Sequence, residues 1–209
     1  MMGGMRTRTS KTSGLPGAGT TGARTPYRVC FVCTGNICRS PMAEAVFRAR
    51  VEEAGLAELV EVSSAGTGGW HVGDGADERT VAVLTAAGYA QEHVARQFRP
   101  DWFERLDLVI ALDEGHLREL RAMAPGAEDA AKIRLLRSYA PGADADGCDL
   151  DVPDPYYGGM EGFEECLALV EEAVPGLLAE VRAALESDGE ADGESDVVSD
   201  KEAGGAARR

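Results

Sequence analysis

The alternation of short apolar runs with helical patterns is the feature that most constrains how this chain can fold. Continuous apolar runs, typical of strands covered on both faces, fall at residues 28–32, 60–64, 106–112 and 133–136. Helical patterns follow at residues 41–54, 77–87, 114–123 and 161–185, and Pro175 is expected to kink or split the last helix. This order predicts an α/β fold, a four-stranded parallel sheet flanked by helices on both faces in a doubly wound three-layer arrangement.

The two ends of the chain differ in composition from its middle. Residues 1–26 are rich in Gly, Thr, Ser and Arg and poor in apolar side chains, which predicts a disordered N-terminal extension. Residues 187–209 predict a disordered acidic C-terminal tail for the same reason. Residues 27–186 are then expected to form a single domain, large enough to bury a substantial core.

Charge, hydropathy and cysteine content limit the binding partners and the cellular compartment that we expect for the protein. The net charge of −15 disfavours binding to nucleic acid, because the phosphate backbone repels an acidic surface. No apolar run approaches the roughly 20 residues of a membrane span, and the N-terminus lacks the apolar stretch of a secretory signal, so we expect no membrane association. Five cysteines, an odd number, favour reduced thiols and a cytoplasmic location.

The loop after the first strand is the candidate ligand site, since ligands of such sheets bind at the carboxyl ends of strands. It contains a cysteine, five residues, an arginine and a serine, from Cys33 to Ser40. A loop that turns into a helix directs several backbone N–H groups at one point and so forms an anion cradle. Gly35 permits a positive φ or a close approach, and Asn36 tolerates left-handed geometry. Arg39 is expected at the rim, where its guanidinium can bind two phosphate oxygens.

Cys33 lies at the base of this predicted cradle. The amide dipoles and Arg39 favour its thiolate form, which is the nucleophilic one, and the Ser40 hydroxyl can hydrogen-bond that thiolate. The placement of the motif between a strand and a helix favours a nucleophile over a cysteine that only packs. Cys30 and Cys33 form a C-x-x-C pair, but no second pair or spaced histidines follow, so we expect no metal.

The residues around this loop carry a family resemblance. The segment 32–44 reads VCTGNICRSPMAE, and SAGT at 64–67, WHVG at 70–73, HVARQ at 93–97 and DPYY at 154–157 follow in order. On these motifs, residues 27–186 resemble the bacterial, cysteine-based low-molecular-weight protein tyrosine phosphatases. The resemblance implies the phosphotyrosine phosphatase I fold and a phosphate-binding loop that includes Thr34, Gly35, Asn36, Ile37, Cys38 and Ser40.

A general acid is needed to protonate the leaving group. Asp151 and Asp154 are both candidates from the residues alone, since both lie in the late polar loop. The resemblance selects Asp154, which stands between Pro153 and Pro155, and so implies Cys33, Arg39 and Asp154 as the catalytic residues.

The resemblance also implies roles around the pocket. Trp70, Tyr156 and Tyr157 are expected to line its wall, and a deep cleft with aromatic walls selects phosphotyrosine over the shorter phosphoserine. His93 and Asp113 are expected to pair and support the loop from below. Cys38 is expected to form a reversible disulfide with Cys33 that protects the nucleophile from over-oxidation.

The activity implied is that of a protein-tyrosine-phosphatase, a hydrolase of phosphoric monoesters that works through a phosphocysteine without metal or cofactor. Its expected partners are phosphotyrosine-bearing proteins, with phosphate and other oxyanions as inhibitors. Protein arginine phosphatase activity is an alternative on the same fold, although relatives with that activity tend to have threonine at the position of Ile37. Arsenate reduction would need Cys148 or Cys166, and neither has the expected spacing. A silent phosphate-binding module is the third alternative, and the presence of all three catalytic residues disfavours it.

Overall fold

A four-stranded parallel sheet forms the centre of the molecule. The computed structural model describes residues 25–90, 92–143 and 149–195. The strands are β1 (Tyr27–Cys33), β2 (Val60–Gly66), β3 (Leu108–Ala111) and β4 (Ile133–Leu135), in the spatial order β2-β1-β3-β4. Every pairing is parallel, and β1 pairs with β2 along its full length. The predicted four-stranded parallel sheet is confirmed.

Helices and short 3₁₀ turns connect the strands. The helices are α1 (Arg39–Glu53), α2 (Glu78–Ala86), α3 (Glu114–Met123), α4 (Ala127–Ala131) and α5 (Met160–Ser195), and the 3₁₀ turns are Pro100–Glu104 and Leu136–Tyr139. The sequence did not predict α4 or the two 3₁₀ turns, because segments of four or five residues are too short to show a helical period. The third strand is shorter than the predicted run of residues 106–112.

Helix α5 differs most from the expectation. Pro175 lies inside a continuous helix and does not split it, although it removes one backbone donor. The side chains of Ala173, Val174 and Leu177 on either side are fully buried, so tertiary packing outweighs the local cost of the proline. The helix also continues to Ser195, past the predicted end near residue 185 and into the segment predicted to be disordered. The predictions for residues 1–24 and 196–209 lie outside the described residues.

Apolar cores lie on both faces of the sheet. Val29 and Phe31 of β1 belong to the core on one face, which includes residues of α1 and α5. Cys30 and Val32 belong to the core on the other face, which includes Phe103. Burial on both faces explains why the strands read as continuous apolar runs. Within the part of the chain that the structure describes, no helix is both long and apolar enough to cross a membrane.

Candidate active site

The loop between β1 and α1 has the backbone geometry of an anion cradle. Asn36 has a φ of 58°, in the left-handed region that asparagine tolerates better than most residues. Gly35 does not have a positive φ, and a Cβ there would lie 3.0 Å from Cδ2 of His71, a tight contact with the side chain at the edge of the cleft. The loop thus turns at Asn36 and is tightly packed at Gly35, and α1 begins at Arg39.

Cys33 ends β1, and its buried Sγ atom is held by two groups. Ser40 Oγ lies 2.9 Å from Sγ, which confirms the predicted hydrogen bond between them. The backbone N–H of Asn36 also donates to Sγ, over 3.3 Å. Both contacts can stabilise negative charge on sulfur, as a nucleophilic thiolate requires.

The Asn36 side chain is the centre of a buried hydrogen-bond network. Its Nδ2 donates to Ser40 Oγ and to Ser64 Oγ, each over 2.9 Å, and its Oδ1 accepts from the backbone N–H of Arg96 over 2.9 Å. Ser64 Oγ in turn donates to the carboxylate of Glu44 on α1. This network connects α1, β2 and the segment after residue 92 to the loop. Ser64 and Glu44 were not predicted as supports, although both lie inside the quoted motifs.

Arg39 lies inside the site and not at its rim. Only 3% of the residue is exposed, and its Nη1 donates to Asp113 Oδ2 over 2.7 Å and to the Val152 carbonyl over 3.2 Å. Its Nη2 donates to Asp154 Oδ2 over 3.0 Å and to Thr34 Oγ1 over 3.2 Å. The prediction that Arg39 lies at the rim was wrong, because the carboxylates of Asp113 and Asp154 bind its guanidinium inside the site.

His93 and Asp113 do not pair, so that prediction was wrong. His93 Nε2 lies 2.7 Å from the Asn36 carbonyl, whereas Asp113 contacts Arg39 and caps α3 at the backbone N–H of His116. The reason is the strand order. Asp113 follows β3, His93 precedes a bridge to the end of β2, and these strands flank β1 on opposite sides. Each residue therefore supports the loop separately, from its own side.

The electrostatic settings of these two supports also differ. Burial raises the pKa of the Asp113 carboxyl, but hydrogen bonds from His116 and the charges of His116 and Arg39 outweigh it and hold that pKa well below its usual range. Burial lowers the pKa of His93. This effect is larger than the opposite effects of its hydrogen bond to Asn36 and of the nearby Glu44. Asp113 is thus an anion opposite Arg39, and His93 is a neutral, partly buried group at neutral pH.

His116 and His71 also lie against the loop, and neither was predicted to have a role there. His116 is buried, with Nε2 2.9 Å from Thr34 Oγ1 and Nδ1 2.9 Å from Asp113 Oδ1. The spacing of Asp113 and His116, three residues apart at the start of a helix, was the available signal. His71 lies beside Gly35 at the edge of the cleft.

A cavity of about 370 Å³ opens above the loop. Its lining residues are Cys33, Thr34, Gly35, Ile37, Cys38, Arg39, Trp70, His71, Asp154, Tyr156 and Tyr157. All three predicted wall aromatics are among them. Trp70 is 78% and Tyr157 92% exposed, and the rings of Tyr156 and Tyr157 meet edge to face with centroids 5.0 Å apart. The cavity therefore has a polar floor and an aromatic entrance.

The structure separates the two candidate acids. Asp151 Oδ1 accepts from the backbone N–H of Glu114 over 2.8 Å, at the start of α3. Asp154 lines the cavity, contacts Arg39, and keeps 42% of its side chain exposed. Only Asp154 of the two is thus positioned to meet a leaving group in the cavity.

The described cysteines are all free thiols. Cys38 lines the cavity, and burial, followed by the nearby Asp77, raises its pKa to about 12. Burial also raises the pKa of Cys30 and of Cys166 to about 12. Cys148 lies outside the described residues. Among the residues that the structure describes, no group of three or more His, Cys, Asp or Glu side chains could hold a metal ion.

Comparisons with known proteins agree with this geometry. A family model described as low molecular weight phosphotyrosine protein phosphatase matches residues 28–187. The low molecular weight protein-tyrosine-phosphatase of Streptomyces coelicolor is 71% identical over 160 residues, which cover 77% of this chain and 96% of that protein. The crystal structure of YfkJ from Bacillus subtilis matches with a TM-score of 0.70 at 37% identity and covers 78% of this chain and 99% of that chain.

A solved arginine phosphatase, YwlE, has the same fold. It matches with a TM-score of 0.64 at 30% identity and covers 74% of this chain and 95% of that chain. Similarity of fold therefore extends across two substrate classes. The family match over residues 28–187 and the 71% identity to a tyrosine phosphatase confirm the resemblance read from the motifs. The chain belongs to the low molecular weight phosphotyrosine protein phosphatase family, a family of hydrolases.

Proposed function

We propose that this family member hydrolyses phosphotyrosine in proteins through a phosphocysteine formed on Cys33. The observation that carries the proposal is that the Cys33 thiol, the Arg39 guanidinium and the Asp154 carboxyl group line one cavity with an aromatic entrance. These three groups supply a nucleophile, a cation for the phosphate oxygens and a proton donor, which together are what phosphomonoester cleavage needs.

In the first step, the Cys33 thiolate attacks phosphorus in line with the departing tyrosine oxygen. Backbone N–H groups of the loop and the Arg39 guanidinium bind the equatorial phosphoryl oxygens, where charge is spread in the transition state. Asp154 gives its proton to the tyrosine oxygen as the P–O bond breaks. Asp113 holds Arg39 from the side of α3 through a contact of 2.7 Å, so the guanidinium is oriented before substrate arrives.

In the second step, water hydrolyses the phosphocysteine. Asp154, now a carboxylate, accepts a proton from the water as it attacks phosphorus. The sulfur of Cys33 leaves as a thiolate, and the Ser40 hydroxyl, 2.9 Å away, can donate a hydrogen bond to it. Phosphate is released and the starting state is restored. No metal or cofactor is part of either step.

The walls of the cavity support phosphotyrosine as the substrate. Trp70, Tyr156 and Tyr157 can pack against a phenyl ring, and the buried position of Cys33 requires a side chain long enough to bring phosphorus to the floor. Phosphoserine is too short to do so. Proteins that bear phosphotyrosine are thus the proposed partners, and phosphate and similar oxyanions the proposed inhibitors.

Phosphoarginine is the second candidate substrate, favoured by the likeness to YwlE. The apolar Ile37 and the pair Tyr156 and Tyr157 line the cavity and suit a phenyl ring better than a guanidinium. Arsenate reduction is disfavoured because Cys166 is buried and its pKa is raised to about 12, which makes it a poor thiolate for an electron relay. The free thiols also support the proposed cytoplasmic location.

The test is the initial rate of phosphate release from phosphotyrosine, phosphoarginine and phosphoserine peptides, without metal, with Cys33→Ser as the blank. Fast release from phosphotyrosine alone, lost in the variant, is the expected result. Release mainly from phosphoarginine would keep the chemistry and overturn the substrate. Release that survives in Cys33→Ser would overturn the mechanism.

A further inference from the structure

The segment that carries Asp154 has no helix or strand to hold it. Residues 149–158, here called the acid loop, form no helix or strand, and arginine side chains bind several of their carbonyl groups. Arg137 Nη1 binds the carbonyls of Asp149 and Asp151, and Arg39 binds that of Val152. These contacts, together with the hydrogen bond from the Val152 backbone N–H to the Leu112 carbonyl, hold the first half of the loop, and a separate side chain contacts the half that follows Asp154.

Arg79 on α2 makes that contact. Its Nη2 donates to the carbonyl of Tyr156 over 3.0 Å, and its Nη1 donates to the carbonyl of Gly158 over 2.9 Å. The guanidinium carbon lies 4.4 Å from the centroid of the buried Phe163 ring, which supports the plane of the fork from α5. One guanidinium therefore holds two carbonyls of the acid loop in a fixed relation.

Asp77 orients this guanidinium and connects it to the phosphate-binding loop. Its carboxylate accepts from Nε and Nη2 of Arg79, each over 2.9 Å, and it caps α2 at the Arg79 backbone N–H. The backbone N–H of Asp77 donates to the carbonyl of Ile37 over 2.8 Å. The Asp77–Arg79 pair thus bridges the loop that carries Cys33 and the loop that carries Asp154.

The contact reaches the Asp154 carboxylate through one backbone residue. The N–H of Tyr156 donates to Asp154 Oδ1 over 3.2 Å, and the carbonyl of the same residue is the one that Arg79 binds. The position of Tyr156 therefore fixes one of the two oxygens that orient the Asp154 side chain. The other oxygen, Oδ2, faces Arg39.

We infer that Arg79, held by Asp77, is a positioning residue that aligns Asp154 for proton transfer to the leaving group. The inference rests on the proposed role of Asp154 as general acid. Arg79 does not line the cavity, and its effect on the reaction passes through Tyr156 and Asp154.

The dependence of rate on the leaving group measures this role. p-Nitrophenolate is a weak base and leaves without a proton, whereas phenolate and the tyrosine side chain need one. A misaligned acid therefore slows the hydrolysis of phenyl phosphate more than that of p-nitrophenyl phosphate. The ratio of the two kcat/KM values on one sample is independent of the fraction of folded enzyme, so a loss of stability alone does not change it.

The experiment compares Arg79→Ala, Arg79→Lys and Asp77→Asn with the unmodified chain, with Asp154→Asn as the reference for a lost acid. Arg99→Ala is the matched control, because Arg99 is an exposed arginine that pairs with Asp101 and does not line the cavity. A general acid contributes about 10²–10⁴-fold, so we expect the preference for p-nitrophenyl phosphate to rise roughly tenfold in Arg79→Ala. The ratios of Arg79→Lys and Asp77→Asn are expected to lie between that of Arg79→Ala and that of the unmodified chain. The ratio of Arg99→Ala is expected to equal that of the unmodified chain.

The outcomes separate this inference from the proposed function. A raised ratio in Asp154→Asn together with an unchanged ratio in Arg79→Ala would overturn the positioning role and leave the general acid in place. An unchanged ratio in Asp154→Asn would overturn the role of Asp154 itself, and the positioning role with it. A raised ratio in Arg99→Ala equal to that in Arg79→Ala would contradict a specific contact.

Discussion

Replacement of Asn36 by alanine tests the central support of the phosphate-binding loop. The side chain is fully buried and makes three hydrogen bonds of 2.9 Å, to Ser40, to Ser64 and to the backbone of Arg96. At roughly 1 kcal/mol net for each, their loss destabilises the fold by about 3 kcal/mol. The φ of 58° adds about 1 kcal/mol for alanine, which disfavours the left-handed region.

We therefore expect Asn36→Ala to lower the free energy of unfolding by about 4 kcal/mol. Since domains of this kind are stable by about 5–15 kcal/mol, the variant stays folded but with little reserve. Urea denaturation followed by circular dichroism measures the loss. Gln97→Ala is the matched control, because Gln97 is an exposed amide whose Nε2 donates to the carbonyl of Thr67, and we expect it to cost under about 1 kcal/mol.

Asn36→Gly tests the backbone contribution, because it removes the same three hydrogen bonds without the strain that alanine has at this φ. Glycine accepts the left-handed geometry, but its flexible unfolded state costs about 0.5–1 kcal/mol, so both variants are expected to agree within about 1 kcal/mol. A loss below about 1 kcal/mol in both variants would refute the reasoning from the three buried bonds. A glycine variant much less stable than the alanine variant would refute the reasoning from the backbone.

Four further outcomes are expected. Ser40→Ala removes the hydrogen bond to Cys33 Sγ, so kcat on p-nitrophenyl phosphate is expected to fall about tenfold, and an unchanged kcat would contradict that role. Phe103→Ala empties a fully buried site and is expected to cost about 3–5 kcal/mol in urea denaturation, against under about 0.5 kcal/mol for the exposed Val72→Ala. Burial lowers the pKa of His93 in the folded state, so the free energy of unfolding decreases as pH falls below the unfolded pKa of about 6.5. Unfolding curves between about pH 7.5 and 5.5 are expected to show a smaller decrease in His93→Gln than in the unmodified chain. An equal decrease in both would contradict this role of His93. Dialysis against EDTA is expected to leave phosphatase activity unchanged, and a loss restored by a divalent ion would overturn the metal-free mechanism.

Most of the fold could be predicted because the strands are buried on both faces. Each one therefore appears as a continuous apolar run, and the helices between them carry a clear period. Helix α5 shows the limit of this reasoning. The local cost of Pro175 is visible in the sequence, whereas the buried neighbours that offset it are contacts with distant residues.

The part of the candidate site that could be predicted is the part whose functional residues lie in one segment of the sequence. The residues from Cys33 to Ser40 form one continuous segment from the end of β1 to the start of α1, so their spacing alone indicates an anion cradle. Partners contributed by separate loops could not be assigned in the same way. The predicted pairing of His93 with Asp113 was wrong because the order of the strands places these two residues on opposite sides of β1, and neither motif indicates that order.

The most direct test of the account is to find the phosphoryl group on the nucleophile. The enzyme is mixed with p-nitrophenyl phosphate, quenched in acid within milliseconds, digested and analysed by mass spectrometry, with Cys33→Ala and Cys38→Ser treated in parallel. We expect one phosphoryl group on Cys33, present in Cys38→Ser and absent in Cys33→Ala. A phosphoryl group on Cys38, or full turnover in Cys33→Ala, would contradict it.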